Sequence, residues 1–427
     1  MSNPIFIARQ DTLEQEILPA HWLAQYKLFG EESYTFQDKE IWKKLCMSSA
    51  AANDRDMHAE ALEEMLTTFS AEHTGKWMLT VYGMDAAVLE GLASMAAIAA
   101  NGTAMAAVAG NALLMHAIAN SETAMQAISR SQTAMQRIAN STTAMDAIGG
   151  SKIARDAVQA SPYYNSYIKE NSMAIAKLVV GFANLASAGY SGMAGVAASS
   201  TAMNAVAASS TAMNAVAASS TAMNAVAASS VARNAISASP YYDEKIREND
   251  MAIAKLVVGF ANLESARYSS MAGVAADSTA MTAVAASGVA LKAIAQAYKK
   301  TANMLQFLKA VNASDTLVKR IYSTLTNATA LFGAAQLGAQ DGVADANSWA
   351  TTSAAPNAFL ACACGYYNSG GASVDVTYNG TVIAQNKTGT RQPGSVTSTN
   401  VNAITMAPST FTENGDGWLA VQKFTAK

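Results

Sequence analysis

The stretch TAMNAVAASS occurs three times in succession, at 201–210, 211–220 and 221–230, and this ten-residue unit decides the fold. A more variable form of the unit extends over 91–297, with methionine at one fixed place in most units and Val or Ile three residues later. A repeat of this kind determines the architecture of its whole region. The side chains that we expect to pack the series are Met105, Met125, Met135, Met203, Met213, Met223, Val206 and Val216.

Each unit is predicted to be a short helix. Alanine is the strongest helix former, and Ala, Met and Asn do not favour strands. Ten residues at about 100° each fall roughly 80° short of three turns, so a methionine stripe would drift around one continuous helix. Ser and Thr favour the N-cap and compete with backbone bonding inside helices. The Ser-rich junctions therefore predict helices of about two turns or fewer, separated by corners.

Helices this short are not stable alone in water, so their Met, Val and Ala must bury against neighbouring repeats or neighbouring chains, as in solenoids. Residues 192–230 contain no charge, and one chain offers little bulky apolar surface per layer. We therefore expect a mainly α repeat shaft that oligomerises around a common axis as an elongated fibrous homo-oligomer, with a homotrimer favoured. The sequence leaves open whether the helices pack within a chain or between chains.

A second, larger repeat overlies the first. The segment 161–198 recurs at 239–276, an offset of 78 residues, and 30 of the 38 aligned positions are identical. Both copies contain MAIAKLVVGFANL, which is apolar nearly all round and so predicts a buried helix. Where a run of units ends, the methionine position holds Arg155, Arg233 or Leu291, and we interpret these atypical units as caps of the stack.

The two ends of the chain differ from the repeats. Residues 1–80 hold 20 of the 59 charged side chains and three of the five tryptophans, so 1–85 is predicted to be a compact N-terminal domain. Residues 298–340 return to longer helical patterns and predict a helical neck. Residues 349–427 predict a small all-β C-terminal head of four to seven strands, with a hairpin at 374–383 whose turn is Asn-Gly. Long polar loops are expected between the other strands, at 385–400 and 412–417.

Composition and charge exclude several classes of protein. Charged residues make up 14% of the chain, against about 25% in an average globular protein. The net charge of −3 provides no basic face for nucleic acid. We find no run of about 18 apolar residues and no secretory signal, so we expect no membrane insertion and synthesis in the cytoplasm without export.

Catalytic and metal-binding patterns are not found. The histidines are all N-terminal and have no metal-ligand spacing, and neither a nucleophile elbow nor a glycine-rich phosphate loop stands out. The head carries few acids for cleaving a glycan, namely Asp375, Glu413 and Asp416. We interpret the methionine ladder as a packing stripe, since thioethers would be the main soft ligands available there. The sequence therefore predicts no enzyme, no cofactor and no metal.

The unit S-x-T-A-M-x-A-[VI]-A-x, between a compact first domain and a β-rich tip, resembles the alanine-rich repeat region of tailed-bacteriophage fibre proteins. The resemblance covers about 91–297, roughly half of the chain. It implies that 1–85 attaches to other virion proteins, that the repeats form the shaft of a homotrimer, and that the tip touches a bacterial surface receptor, either a glycan or an outer-membrane protein. The implied location is the virion, after synthesis in the host cytoplasm.

Aromatic and polar side chains of the head are the candidates for receptor contact. Exposed Tyr and Trp bind sugars or proteins through a flat apolar face with a polar handle, although core packing is the alternative for each of them. A tail fibre is the expected function. The alternatives are a non-adhesive virion component (a collar whisker, head fibre or decoration) and a cellular repeat scaffold. The candidate contacts are Tyr366, Tyr367, Tyr378, Arg391, Gln392 and Trp418.

Overall fold

The structure is a computed structural model, in which about 60% of the interpretable part is helical, with 21 α-helices followed by a small C-terminal part of mainly antiparallel sheet. The predicted N-terminal domain, 1–85, lies outside the described residues. The chain divides into two compact units, Met1–Val196 and Ala197–Lys427, and each is treated separately below. The described residues are 86–89, 91–92, 94–297, 304–341, 348–351, 358–366, 372–388, 390–391, 395–406, 409–415 and 417–427.

In the first unit the described residues form a succession of short helices, as the sequence predicts. Most are six to nine residues long, and the ten-residue spacing of their starts follows the sequence repeat. They are α1 (Met95–Ala100), α2 (Gly102–Gly110), α3 (Ala112–Ala119), α4 (Glu122–Ser129), α5 (Gln132–Ala139), α6 (Thr142–Gly150), α7 (Lys152–Gln159), α8 (Tyr164–Tyr167), α9 (Ser172–Phe182) and α10 (Met193–Ala198).

At several corners one residue, most often a serine, both starts a helix and joins two layers. The Ser131 hydroxyl oxygen accepts a hydrogen bond from the Ala134 amide at 3.2 Å, which caps α5. The same hydroxyl donates to the Ala99 carbonyl, 32 residues earlier, at 2.6 Å. Three further serines make the same lateral bond, and most helices pack on the helix three places before them, so three ten-residue repeats complete one coil of a solenoid. They are Ser141, Ser151 and Ser161.

The apolar ladder of the first unit is buried within a single chain. Met105, Met125 and Met135 are each 0% exposed, as are the isoleucines three residues after the last two. The sequence leaves open whether this burial comes from the same chain or from neighbouring chains, and in the described repeats it comes from the same chain. Three helices per coil enclose a core that one thin layer could not. Packing within the chain is therefore sufficient, while the oligomeric state stays a prediction.

The second unit repeats this arrangement. Ser229, Ser239 and Asn249 donate to carbonyl oxygens 32 residues earlier, at 2.6, 2.5 and 2.8 Å. The predicted packing residues Met203, Met213, Met223, Val206 and Val216 are all 0% exposed. The helices are α11 (Ser200–Ala207), α12 (Ser210–Ala218), α13 (Ser220–Ala228), α14 (Ser230–Ser237), α15 (Tyr242–Lys245), α16 (Asp250–Phe260), α17 (Met271–Ala275), α18 (Ser278–Ala285), α19 (Gly288–Ala297), α20 (Met304–Asn312) and α21 (Asp315–Asn327).

The C-terminal part holds two sheets. The strands are β1 (Phe332–Asp341), β2 (Ser348–Thr351), β3 (Ala358–Tyr366), β4 (Ala372–Tyr378), β5 (Thr381–Thr388), β6 (Thr390–Arg391), β7 (Ala403–Met406), β8 (Ser409–Gly415) and β9 (Gly417–Ala426). One sheet has the order β1-β9-β3-β6, with β7 also paired to β3, and the other has the order β2-β8-β4-β5. All of these pairs are antiparallel except β3 with β6.

The predicted hairpin is confirmed. β4 pairs with β5, and the turn residues Asn379 and Gly380 have φ values of 47° and 75°. Positive φ at both central positions is what a type I′ turn requires.

Other expectations for the head need correction. Over 349–427 the described residues hold eight strands, β2 to β9, rather than four to seven, and the predicted polar loop at 412–417 is mostly strand, since β8 continues to Gly415 and β9 begins at Gly417.

The predicted helical neck over 298–340 is correct only in part. Helix α20 ends at Asn312 and helix α21 at Asn327, and β1 then pairs with β9 from Phe332 onward. Unlike a neck, the two helices contact both the repeat helices and the sheets. The Thr324 hydroxyl donates to the Ala285 carbonyl of α18 at 2.7 Å, and the Tyr322 hydroxyl donates to the Val396 carbonyl beside the sheets at 2.7 Å. The two helices thus close the last coil and support the sheets.

Candidate functional site: two buried lysine nodes and the C-terminal sheets

A buried lysine is the main polar feature of the apolar helix α9. Lys177 is 0% exposed, and its Nζ donates to Asp146 Oδ1 in α6 at 2.5 Å and to the Ser187 carbonyl at 3.2 Å. The Ser187 hydroxyl donates to the same Asp146 oxygen at 2.7 Å. We call these three residues the Lys177 node. The node joins α9, the helix three places before it and the loop that follows α9.

The second copy of the long repeat contains the same arrangement with one chemical difference. Lys255 in α16 is 1% exposed, and its Nζ donates to Asn224 Oδ1 in α13 at 2.7 Å and to the Ser265 carbonyl at 3.0 Å. The Ser265 hydroxyl donates to the same Asn224 oxygen at 2.9 Å. We call these three residues the Lys255 node. An amide therefore stands where the Lys177 node has a carboxylate.

Two glycines allow the node helices to approach their neighbours closely. A Cβ on Gly181 of α9 would clash with the backbone carbonyl of Gly149, and one on Gly259 of α16 would clash with the backbone of Ala227. Glycine therefore permits the end of each long helix to lie against the helix three places earlier. The approach places each buried lysine within reach of its partner 31 residues away.

The arginines at methionine positions are not caps of the stack. The Arg155 Nη1 donates to the Gly149 carbonyl at 2.7 Å, and its guanidinium lies 5.8 Å from the Phe182 ring. Arg233 makes the equivalent contacts, 5.5 Å from the Phe260 ring. Burial lowers the pKa of both arginines from the ordinary value. Because α9 packs on α6 and α16 on α13, the stack continues past both arginines, so their assignment as caps is wrong.

The loop after α16 is held by a second set of contacts. Arg267 pairs with Asp277 at 2.9 Å, and the Tyr268 hydroxyl donates to the same carboxylate at 2.9 Å. The Asp277 carboxylate also caps α18. Hydrogen bonds from the Ala280 amide and from Tyr268 hold the pKa of Asp277 below its ordinary value. In the first copy the positions of Arg267 and Asp277 are Gly189 and Ser199, so this set belongs to the second copy.

The structure brings three of the six proposed receptor contacts to one end of the first sheet. The backbones of Tyr366 and Arg391 are partners in the parallel β3–β6 pair, and Trp418 is the partner of Gly365 next to Tyr366. Tyr378 is different, because it is 3% exposed and so presents no ring to a receptor; its proposed role is corrected to core packing. Tyr367 and Gln392 lie outside the described residues.

Sequence reasoning missed the lysine nodes. The signal was available, since Lys177 and Lys255 are the only charged residues within MAIAKLVVGFANL and occupy the same place in both copies. Their partners lie 31 residues earlier, a spacing that becomes meaningful only once three units are known to form a coil. Across the described ranges, no group of three or more His, Cys, Asp or Glu side chains could hold a metal ion.

Family models and curated proteins provide no match to guide the assignment. No family model matches the chain. No curated protein matches it either. Among the residues that the structure describes, no single helix is long and apolar enough to cross a membrane; one bent pair, α18 with α19, meets the length and composition only when both helices are counted together.

Proposed function

We propose that the chain is a structural and adhesive fibre of a bacteriophage virion, a tail fibre that attaches to the host surface through its C-terminal head. The observation that carries the proposal is the corner serine, which at several corners of the stack bonds one repeat to the repeat three places earlier. Such a stack lengthens by copying a unit, because a new unit brings its own cap, its own lateral bond and its own buried methionine. This property suits a fibre, because the reach of a fibre depends on its length.

The proposed receptor-contact region is the end of the first sheet, where Tyr366 pairs with Arg391 and Trp418 pairs with the adjacent Gly365. An aromatic residue and an arginine suit recognition of a glycan or a surface protein.

We further propose a homotrimer, with the N-terminal residues 1–85 contacting other virion proteins. The chain would be made in the host cytoplasm and incorporated without membrane insertion.

The alternative functions, a non-adhesive virion component and a cellular scaffold, differ in the surface features that each would need. A non-adhesive virion component needs the same stack and no receptor face, so only a binding experiment separates it from a tail fibre. A scaffold that binds ice needs ranks of threonine along one face. Thr201, Thr211 and Thr221 instead lie on three successive helices of one coil, and the residue above Thr201 in the next coil is Val231. This arrangement disfavours an ice-binding scaffold.

The test of the virion assignment uses the full-length chain, because α20 and α21 belong to both the last coil and the sheet support. Phage particles produced by a strain that carries this coding sequence are purified, and the chain is sought in them by mass spectrometry and antibody labelling. The chain in the particles supports the proposal, and its absence overturns it. Light scattering of the purified chain then tests the trimer, for which we expect about three times 44.3 kDa.

The adhesive role is tested separately. Purified chain should bind cells of the susceptible strain and block adsorption of the particles. Arg391→Glu in β6 should lose binding while the circular dichroism spectrum is unchanged, whereas Arg320→Glu, the same charge change on an exposed position of α21, should bind as the wild type. A chain that is present in particles but does not bind or block indicates the non-adhesive alternative.

A further inference from the structure

We propose that each lysine node closes into a covalent cross-link, an amide bond between the lysine Nζ and the Cγ of its partner, Asp146 or Asn224. Both lysines are buried, at 0% and 1% exposure. Each Nζ lies within hydrogen-bond distance of the side-chain carbonyl oxygen of its partner, at 2.5 Å for Lys177 and 2.7 Å for Lys255. The bond would tie a long helix to the helix one coil earlier.

The difference between the two nodes favours a condensation over an ion pair as their common chemistry. An ion pair accounts for the Lys177 contact only, because Asn224 is neutral. What the nodes share is an amine held against a carboxyl-derived carbon that carries a leaving group. Asp and Asn can both form the same amide with lysine, Asp by losing water and Asn by losing ammonia. Replacement of one by the other therefore preserves the product.

The surroundings of the nodes meet the requirements of the reaction. Fixing two reactants side by side raises their effective concentration by several orders of magnitude. A serine hydroxyl, Ser187 or Ser265, donates to the carbonyl oxygen that becomes negative when the amine adds, at 2.7 and 2.9 Å. A donor placed at that oxygen stabilises the developing charge. Burial of the amine also keeps bulk water away from the attacking nitrogen.

The atoms balance without another reactant. At the Lys177 node, written for a charged amine and a carboxylate, the Nζ–Cγ bond forms and one Cγ–O bond of Asp146 breaks. The leaving oxygen takes two protons from Nζ and departs as water. At the Lys255 node, the Cγ–Nδ2 bond of Asn224 breaks instead, and the amide nitrogen takes two protons from Nζ and departs as an ammonium ion. No oxidant, reductant or metal is needed.

The experiment is the intact mass of the unfolded, purified full-length chain. Water and ammonia weigh about 18 and about 17 Da, so two links should lower the mass by about 35 Da from the value for the observed N terminus. Proteolysis should then release one branched peptide joining α6 to α9 and another joining α13 to α16. Lys255→Met should restore about 17 Da of the deficit.

Swapping the partner residues gives the sharpest readout. The linked product of Asn224→Asp is the same molecule as that of the wild type, so the two masses should be equal; without a link the variant is heavier by about 1 Da. The ion pair of Lys152 with Asp156, equally short at 2.5 Å but with side chains 81% and 56% exposed, is the internal control and should give no branched peptide.

Two outcomes overturn the proposal. The first is a wild-type chain at its full sequence mass. The second is a chain whose Lys255 and Asn224 peptides are released unbranched, even if Lys177 is linked, because the argument rests on the chemistry that the two nodes share. The result does not depend on whether any variant folds, since the decisive measurement is made on the wild type. It is also independent of the virion assignment.

Discussion

Replacing the corner serine Ser229 with alanine tests the account of the solenoid most directly. Its hydroxyl oxygen accepts from the Ala232 amide at 3.2 Å, and its hydroxyl donates to the Ala197 carbonyl at 2.6 Å. Loss of an N-cap costs about 1 kcal/mol, and loss of the lateral hydrogen bond costs about 1 kcal/mol more. Ser229→Ala should therefore lower the free energy of unfolding by about 2 kcal/mol.

The neighbouring serine is the matched control. Ser230 is the exposed first residue of α14, so Ser230→Ala makes the same chemical change and should alter the free energy of unfolding by less than about 0.5 kcal/mol. Both variants are compared with the wild type by urea unfolding followed by circular dichroism. Hydrogen exchange at the Ala232 amide locates the effect. Equal stability of the two variants would refute the dual role assigned to the corner serine.

Three further predictions concern the core, the loop contacts and the last coil. Met213→Ala should cost about 2–5 kcal/mol of unfolding free energy, measured by urea unfolding, because the side chain is 0% exposed, whereas Asn214→Ala on the exposed side should be nearly neutral. The pKa of Asp277 is lowered in the fold, so the contribution of its carboxylate to the free energy of unfolding is present above the ordinary pKa of 3.8. That contribution is lost as the pH falls through the folded pKa, and the melting temperatures of the wild type and Asp277→Asn should converge there. A chain ending at residue 331 should aggregate in light scattering, because Tyr322 and its neighbours on α21 lose the sheets they pack against, for example the Phe424 ring at 5.7 Å.

Local features of this protein could be predicted where one residue type carries the signal. The Ser-rich junctions predicted the corners, the apolar run MAIAKLVVGFANL predicted a buried helix, and Asn379-Gly380 predicted the primed turn. Each depends on interactions between residues close in the chain, such as an N-cap oxygen and an amide three residues later. Strand pairing is not local, so the sequence predicts helix for the stretch that forms β1, whose partner β9 is distant in the chain.

By itself the sequence determined the ten-residue unit, its helical state and the apolar identity of its inner positions. The number of units per coil was decided by the tertiary structure, because a ten-residue period is compatible with burial against the same chain or against another. The lateral bonds to residues 32 earlier settle the packing in favour of the same chain. The lysine nodes follow from that choice, since a residue and its partner 31 positions away meet only when three helices close one coil.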